Sequence, residues 1–284
     1  MHGKSIELFL VNGSADSIVT AELSNWNGKA IKIPRIEVSD CKRDDIQEPG
    51  VYFLFCKDEE NDEDSVYIGE AENVKERLLQ HLRDAATEKE KYYWNTAVIF
   101  TGRDLNKALI RYLENRLVEI AKNSRRYEVL TKITYKNTVL KESQIAAMEE
   151  FLDNIKVLVN AMGYKVLEPL RHDSSHQHDR NENLLYHKTG TADAVGEITS
   201  EGFVVLKGSK INEKTFGKSL SKGMKAIREK HIASGLVNEE HITTEDILFS
   251  SSSAAADFVT GYSVSGPAVW KNIKGKSLRE IESE

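Results

Sequence analysis

Five side chains that can do chemistry occur in order in the first half of the sequence. Tyr52 lies in the run GVYFLF and Tyr67 in VYIG, Arg77 and His81 follow in ENVKERLLQH, and Glu114 comes later in RYLENRL. A carboxylate can hold a divalent metal through few protein bonds, an arginine can clamp a phosphate, and a tyrosine or histidine can take a proton from an attacking water. The set fits hydrolysis of a phosphodiester, in which charge builds on phosphoryl oxygens.

Each of these residues also has an ordinary structural explanation. A tyrosine in a strand usually packs in a core, and an arginine and a histidine four positions apart on a helix usually share a solvated face. A glutamate among leucines usually lies at the edge of an apolar face. Only the set as a whole points to chemistry, and only if the fold brings its members together.

The pattern of apolar residues predicts an α+β fold. Alternating or apolar runs predict strands over IELFLV, SIVTAEL, AIKIPRIEV, GVYFLF, VYIG and AVIFTG. Apolar stripes predict helices over residues 73–86, 105–121 and 142–161. The acidic run DEENDEDS between GVYFLF and VYIG predicts a hairpin loop, so Tyr52 and Tyr67 are expected on neighbouring strands.

The length of 284 residues allows more than one domain. We expect a small antiparallel sheet flanked by helices, an N-terminal β extension and a small C-terminal α+β module. The predicted divisions are a β-rich extension (1–45), a central domain (46–135), a helical extension (136–169), a polar linker (170–198) and the C-terminal module (199–284). The linker histidines His172, His176 and His178 lack a fourth ligand at a convincing spacing, so they do not predict a metal site.

Composition restricts the class of protein. The net charge of −6 argues against a protein that binds nucleic acid over its whole surface, although a local basic groove stays compatible with it. Cys41 and Cys56 have no zinc-type spacing and are expected to be free thiols in a reducing compartment. With no signal-peptide pattern and no apolar run long enough to span a bilayer, we expect a soluble cytoplasmic protein without membrane contacts.

The order and spacing of the motifs resemble a known family. GVY, then YIGEAENVKERLLQHL, then a helix that carries Glu114 resembles the GIY-YIG nuclease domain over roughly residues 46–130. Val51 stands where the family name has isoleucine, which is a conservative difference. The resemblance implies the α+β fold of that domain and cleavage of DNA.

The resemblance also implies a role for each of the five residues. Tyr52 is implied to be the general base or close to it, and Tyr67 to orient the attacking water or Tyr52. Arg77 is implied to stabilise the scissile phosphate, His81 to help proton transfer, and Glu114 to hold one Mg²⁺ or Mn²⁺. Because a tyrosine has an ordinary pKa near 10, we expect a nearby cation such as Arg77 to lower the pKa of Tyr52, and the rate to rise above neutral pH.

The C-terminal stretch FSSSSAAADFVTGYSVSGPAVWKNIKGKSLREIE is similar to the DUF4357 domain, on the basis of its Ser/Ala helix start, Gly261, Gly266 and Trp270. That resemblance implies an accessory role in contacting DNA and assigns no catalytic residue. The serines predict a helix N-cap. Trp270 is expected in a core rather than as a platform for stacking bases.

Basic side chains indicate where DNA would contact the protein. Between Lys207 and Lys230, eight Lys and Arg residues oppose two acids although the chain is acidic as a whole. The candidate DNA-binding residues are Lys75, Arg111 and Arg116 in the central domain and Lys207, Lys210, Lys214, Lys218 and Lys222 in the C-terminal module. For both sets a solvated basic face is the alternative.

These patterns together predict a metal-dependent DNA endonuclease, active in restriction, genome defence or repair, which works as a homodimer or with a partner protein. The alternative is a catalytically silent adaptor that binds nucleic acid or protein and retains the nuclease fold. The state of the site separates the two hypotheses, because a decayed domain usually loses the arginine, the glutamate or a tyrosine. All of them are present in this sequence.

Overall fold

The folded chain divides into two units at the start of the polar run that follows residue 169. The computed structural model describes residues 3–57, 64–87, 92–132, 139–170, 183–214 and 219–283. The chain separates into a first unit, Met1–Pro169, and a second unit, Leu170–Glu284. In the described part of the chain, no helix is long and apolar enough to cross a membrane.

The first unit contains most of the elements predicted from the apolar runs. Its strands are β1 (Ile6–Leu10), β2 (Val19–Leu23), β3 (Gly28–Pro34), β4 (Gly50–Lys57), β5 (Asp64–Ala71), β6 (Trp94–Gly102) and β7 (Glu128–Val129). Its helices are α1 (Val74–Ala86), α2 (Lys107–Ser124) and α3 (Glu142–Ala161), and a short 3₁₀ turn spans Arg35–Glu37. The predicted loop DEENDEDS lies largely outside the described residues.

All seven strands form one sheet in the order β1-β2-β3-β6-β4-β5-β7. The N-terminal strands therefore extend the central sheet, because β3 pairs with β6. The sheet is mixed and not wholly antiparallel, since β7 runs parallel to β5. In the described residues, β7 and the side chain of Thr131 cover β5 only as far as Ile68. Beyond Ile68, the last residues of β5 form an edge that none of the described residues pairs with.

The run GVYFLF is apolar throughout because both faces of β4 are covered. Val51 and Phe53 point to the face that α2 and α3 cover, while Tyr52 and Leu54 point to the face of α1. All four side chains are fully buried. The core around Tyr52 thus fixes its side chain on the face of the sheet that α1 covers.

A row of small residues crosses one end of this sheet. Gly28 of β3 pairs with Gly102 of β6, the adjacent Thr101 pairs with Gly50 of β4, and Gly50 pairs with Ala71 of β5. The turn before β3 and the open end of β5 therefore lie at the same end of the sheet.

The second unit is a smaller α+β structure. Its strands are β8 (Leu184–Thr189), β9 (Ala192–Thr199), β10 (Gly202–Val205) and β11 (Ile247–Phe249), and its helices are α4 (Lys222–Ala233), α5 (Ser252–Thr260), α6 (Gly266–Val269) and α7 (Leu278–Glu282). The sheet order is β11-β10-β9-β8, and every pair is antiparallel. Ser251 caps α5, and Trp270 is fully buried with its indole N–H donated to the carbonyl of Ser252.

The predicted linker over residues 170–198 is wrong in its second half. Residues 184–198 form β8 and nearly all of β9, and only 171–182, with their three histidines, lie outside the described residues. Thr189 pairs with Ala192, so Gly190 and Thr191 form a two-residue hairpin turn, with Gly190 at φ +57°. A glycine in a short turn between alternating runs is the usual signal for such a hairpin. The polar composition of the run obscured that signal.

His187 on β8 predicts an acid sensitivity of the second unit. Its ring is buried beside Trp270, with Nδ1 3.3 Å from the carbonyl oxygen of Val269. Burial lowers the pKa of His187 from its ordinary value of 6.5 more than this contact raises it. Below pH 6.5 the unfolded chain therefore binds a proton at His187 more readily than the folded chain does. The free energy of unfolding decreases as the pH is lowered.

The check is urea unfolding of the full chain by pulse proteolysis, with the fragments of the second unit assigned by mass spectrometry. We expect the urea midpoint of this unit to decrease as the pH is lowered from 7.5 to 5.5. The decrease should be smaller in His187→Phe. An equal slope in both proteins would contradict the assignment to His187.

Candidate active site

A cleft of about 720 Å³ opens at the uncovered edge of β5, between α1 and α2. Four of the five predicted catalytic residues line it: Tyr52 from β4, Tyr67 from β5, Arg77 from α1 and Glu114 from α2. The fold thus joins residues that lie up to 62 positions apart in the sequence. His81 does not line the cleft, but it is 2% exposed and lies behind Tyr52.

Gly69 lets Tyr52 reach this position. It lies opposite Tyr52 in the β4–β5 ladder, and a Cβ on it would come within 2.5 Å of the Tyr52 hydroxyl and 2.9 Å of the Tyr67 ring. The hydroxyl oxygen of Tyr52 lies 3.0 Å from Nε2 of His81. The rings of Tyr67 and His81 meet edge to face at 5.2 Å. The glycine of the YIG motif is required here because no side chain fits between the two tyrosines.

The first turn of α1 places Arg77 over the two tyrosines. Asn73 caps this helix by accepting the backbone N–H of Glu76, so the turn that carries Arg77 is fixed to the end of β5. Burial lowers the pKa of Arg77, but the neighbouring hydroxyls of Tyr52 and Tyr67 raise it by more. Arg77 therefore stays charged and provides a fixed cation in the cleft.

Arg77 does not lower the pKa of Tyr52 below its ordinary value, contrary to expectation. Burial raises this pKa most, Tyr67 raises it further, and the opposing effect of Arg77 is smaller. A free tyrosinate is consequently disfavoured in the metal-free protein. The 3.0 Å contact with His81 offers another path, because Tyr52 can give its proton to His81 while taking one from a ligand in the cleft.

Glu114 is a buried carboxylate at the α2 wall of the cleft. Its side chain is 6% exposed, and its Oε2 has no hydrogen-bond partner among the described residues. Burial, followed by the charge of Glu70, raises the pKa of Glu114 to about 7, although Lys107, Arg111 and Arg77 oppose this.

An unpartnered buried carboxylate oxygen beside an open cleft fits a divalent cation, for which a hard oxygen is the preferred ligand. The described residues contain no group of three or more His, Cys, Asp or Glu that could hold a metal. A cation here would therefore be held through Glu114, with water and substrate oxygens completing its ligands.

Among the cleft residues that were not predicted from the sequence, Glu70 and Lys107 form an ion pair. Glu70 comes directly after YIG, and its side chain is 5% exposed. Lys107, the first residue of α2, brings its ammonium within 2.9 Å of both carboxylate oxygens of Glu70. The alternation of β5 could have located Glu70, since it places Glu70 on the face of Ile68, toward α2. Lys107 follows the helix cap Asn106, but nothing in the sequence links it to Glu70.

The predicted DNA-binding residues of the first unit are divided by the fold. Arg111 lies close enough to Glu114 to affect its pKa, but neither Arg111 nor the half-buried Lys75 lines the cleft. Arg116 points to α3, where its Nε donates to Glu149 at 2.8 Å. Arg83 of α1, which was not predicted, does line the cleft.

In the second unit, Lys207, Lys214 and Lys222 are exposed and Lys210 is half-buried, while Lys218 lies outside the described residues. Arg228, counted in the basic run, is 2% exposed and donates to the backbone carbonyls of Asn212 and Phe258. It belongs to the core of this unit. The exposed surface of this unit therefore carries one positive charge fewer than the count of basic residues in the sequence suggests.

Comparison with known families gives two matches. Residues 48–142 match the model described as the GIY-YIG catalytic domain, and residues 185–282 match the domain of unknown function DUF4357. No curated protein matches the chain, and no solved structure matches it.

A mixed sheet with this cleft at its edge, together with the first match, supports a function of nuclease type in general for the first unit. The chain carries a GIY-YIG domain in its first unit and a DUF4357 domain in its second. This confirms the architecture that the motifs predicted. GIY-YIG nucleases typically use a divalent metal.

Replacing Gly69 by alanine tests the close packing of the site. The new Cβ would push the Tyr52 hydroxyl away from His81, and overpacking of this kind costs about 1–3 kcal/mol of unfolding free energy. We expect Gly69→Ala to unfold at lower urea concentration and to change the tyrosine signals in near-UV circular dichroism. The control is Gly223→Ala, where a Cβ meets no atom within 4 Å. Equal stability of the two variants would show that the site accommodates a methyl group.

Proposed function

We propose that the protein is a metal-dependent DNA endonuclease that hydrolyses phosphodiester bonds in the cleft at the edge of β5. The observation that carries this proposal is the unpartnered, buried Oε2 of Glu114 in the same cleft as the charged Arg77. Glu114 would hold the cation, and Arg77, which lines the same cleft, would bind the phosphate. An adaptor gains nothing from a buried carboxylate without a partner, which costs stability.

The chain's own residues divide the remaining tasks. Arg77 binds the scissile phosphate and compensates the charge that builds on its oxygens. Tyr52 takes a proton from the attacking water and passes its own to His81, which makes His81 a positioning and relay residue behind the catalytic one. Tyr67 lines the cleft beside Tyr52, with ring centroids 6.2 Å apart, and orients the water.

The proposed cofactor is one Mg²⁺ or Mn²⁺ held by Glu114. When bound, such an ion polarises a phosphoryl oxygen and stabilises the leaving oxygen. Glu70 and Lys107 set the charge around Glu114. Their ion pair keeps a second carboxylate next to it neutralised.

DNA contacts are proposed in both units. Arg83 and Lys107 in the cleft, with Arg111 and Lys75 nearby, would follow the backbone at the cut, and Arg116 is the weakest candidate of this set because Glu149 holds it. The exposed Lys207, Lys214 and Lys222, with Lys210 and Lys218, would give the DUF4357 domain an accessory DNA-binding role. Restriction, genome defence or repair, a homodimer or protein partner, and a cytoplasmic location remain part of the proposal. The silent adaptor is the competing hypothesis.

Plasmid cleavage tests the proposal directly. We expect purified protein to nick or linearise DNA in Mg²⁺ or Mn²⁺ and not in EDTA, and Glu114→Gln to reduce the rate about a hundredfold or more. Since Glu114→Gln removes a charge that is costly to bury, its thermal unfolding midpoint at pH 8 should equal or exceed that of the wild type.

The control for this experiment is Glu128→Gln, which changes an exposed carboxylate on β7 and should leave cleavage unchanged. DNA binding without cleavage of plain, methylated or single-stranded DNA would favour the adaptor.

The relay between Tyr52 and His81 makes a prediction about additivity. Tyr52→Phe keeps the ring and removes the proton donor, so kcat should fall about a hundredfold or more with little change in KM. His81→Gln should cost less, and the double variant should be no slower than Tyr52→Phe alone, because His81 acts only through Tyr52. If the decrease in kcat of the double variant equals the product of the two single decreases, the relay is contradicted.

A further inference from the structure

A second pocket, of about 560 Å³, opens in the first unit on the face of the sheet that α2 and α3 cover. It lies between the turn that precedes β3, the loop from β6 to α2, and the first half of α3. This volume is within the range of small-ligand sites. None of the predicted catalytic or DNA-binding residues lines it.

Two aromatic rings form the apolar wall of this pocket, and two glycines make room for them. Trp26 lies over Gly28, where a Cβ would come within 2.2 Å of the indole, and Phe151 lies over Gly102, where a Cβ would come within 2.9 Å. The ring centroids of Trp26 and Phe151 are 4.7 Å apart. Because Gly28 and Gly102 are direct partners across the ladder, the two rings share one small platform.

Trp26 is the tryptophan that remains partly exposed. Trp94 and Trp270, the other two tryptophans of the chain, are fully buried. Amide side chains line the same pocket: Asn25 and Asn27 precede and follow Trp26 in the turn, and Gln144 of α3 lines it while its Oε1 accepts the backbone N–H of Lys141. A partly exposed indole in a pocket that amide side chains also line can stack a flat heteroaromatic group, and the amides can hydrogen-bond the edge of that group.

The charges at the rim select against a phosphate. Arg103 is opposed by Asp104 and Glu150, which leaves one negative charge in excess. This charge disfavours a phosphate inside the pocket, whereas a neutral base with an exocyclic amino group can donate to the carboxylates. The chemistry thus favours adenine, cytosine or guanine over thymine.

The sheet register places this pocket close to the catalytic cleft. Gly28 and Gly102 lie in the row of small residues that ends at Ala71, next to Glu70 of the cleft. Three strand spacings separate β3 from β5, which is about 14 Å. Glu70 and the two rings are on the same face of the sheet, and the start of α2 lies between them, with Lys107 in the cleft and Leu105 in the pocket. That distance corresponds to roughly four nucleotide steps in B-form DNA.

We propose that this pocket receives one nucleobase of the substrate strand, stacked on Trp26, a few nucleotides from the phosphate that is cut. The inference rests on the proposed nuclease function, because it uses the cleft to define where the strand runs. The pocket would select substrates by requiring a base that is unstacked or flipped out of the duplex at that position.

Tryptophan fluorescence tests the contact without requiring catalysis. Short single-stranded oligonucleotides of each base are titrated in EDTA against the full chain. We expect adenine, cytosine or guanine tracts to quench the fluorescence and thymine tracts to quench it less. Trp26→Leu should abolish the quenching, since the other two indoles are buried.

Cleavage of substrates with single abasic positions tests the same contact in the reaction. We expect one position, about two to four nucleotides from the cut, where removal of the base lowers kcat/KM at least about fivefold. Trp26→Leu should be insensitive to that position. Because this variant loses the contact with Phe151, Asn27→Ala at the exposed rim serves as a second variant, and Ile145→Ala, on α3 outside the pocket, is the control.

The outcomes separate the two hypotheses. Cleavage without any sensitive position, and without quenching, would overturn the base pocket and leave the nuclease intact, so that Trp26 and Phe151 only close the end of the core. Absence of both cleavage and DNA binding would overturn the nuclease, and the base pocket with it. A sensitive position that persists in Trp26→Leu and Asn27→Ala would place base recognition elsewhere.

Discussion

The close approach of the Tyr52 hydroxyl to the backbone of Gly69 is the constraint on which the site depends. It requires a residue without a side chain opposite Tyr52 on β5, and in the described residues the pairing of β5 with β7 ends before that residue. If β5 were covered along its whole length, Tyr52 and His81 would form an ordinary buried pair. At the cleft, Tyr52 is instead accessible to a ligand, and the buried His81 behind it fixes its position.

Charge in the cleft is organised by burial. Arg77 remains charged because two hydroxyls face it. Burial and the charge of Glu70 raise the pKa of Glu114, so its carboxyl group is partly protonated near neutral pH. Lys107 limits that effect by pairing with Glu70. The cleft therefore suits two ligands of opposite charge: Glu114 is a buried carboxylate that a cation would stabilise, and Arg77 is a guanidinium that can bind an anion. This complementarity suits a metal and a phosphate bound together.

Much of this arrangement was visible in the sequence, and the exceptions have physical reasons. The strands and helices of the first unit follow from apolar periodicity, and GVY, YIG and Arg77 identified the domain. Glu70 was missed because its importance depends on Lys107, 37 positions later. Arg228 was read as surface charge because composition does not show that two backbone carbonyls need its donors. The hairpin at Gly190 was missed because polar residues hid a turn. Short-range patterns thus predicted the helices and strands. They did not predict contacts between residues that are distant in sequence.

The position of β6 in the middle of the sheet has a consequence for synthesis. Residues 6–34 form a β-meander whose inner strand, β3, pairs on its other side with Trp94–Gly102. On the ribosome, that meander emerges with the edge of β3 unsatisfied and must wait until roughly seventy further residues have been made. During this interval β3 exposes Ile31 and Ile33, which are fully buried in the finished sheet. The N-terminal extension is synthesised before β6, and it cannot complete its pairing until that strand exists.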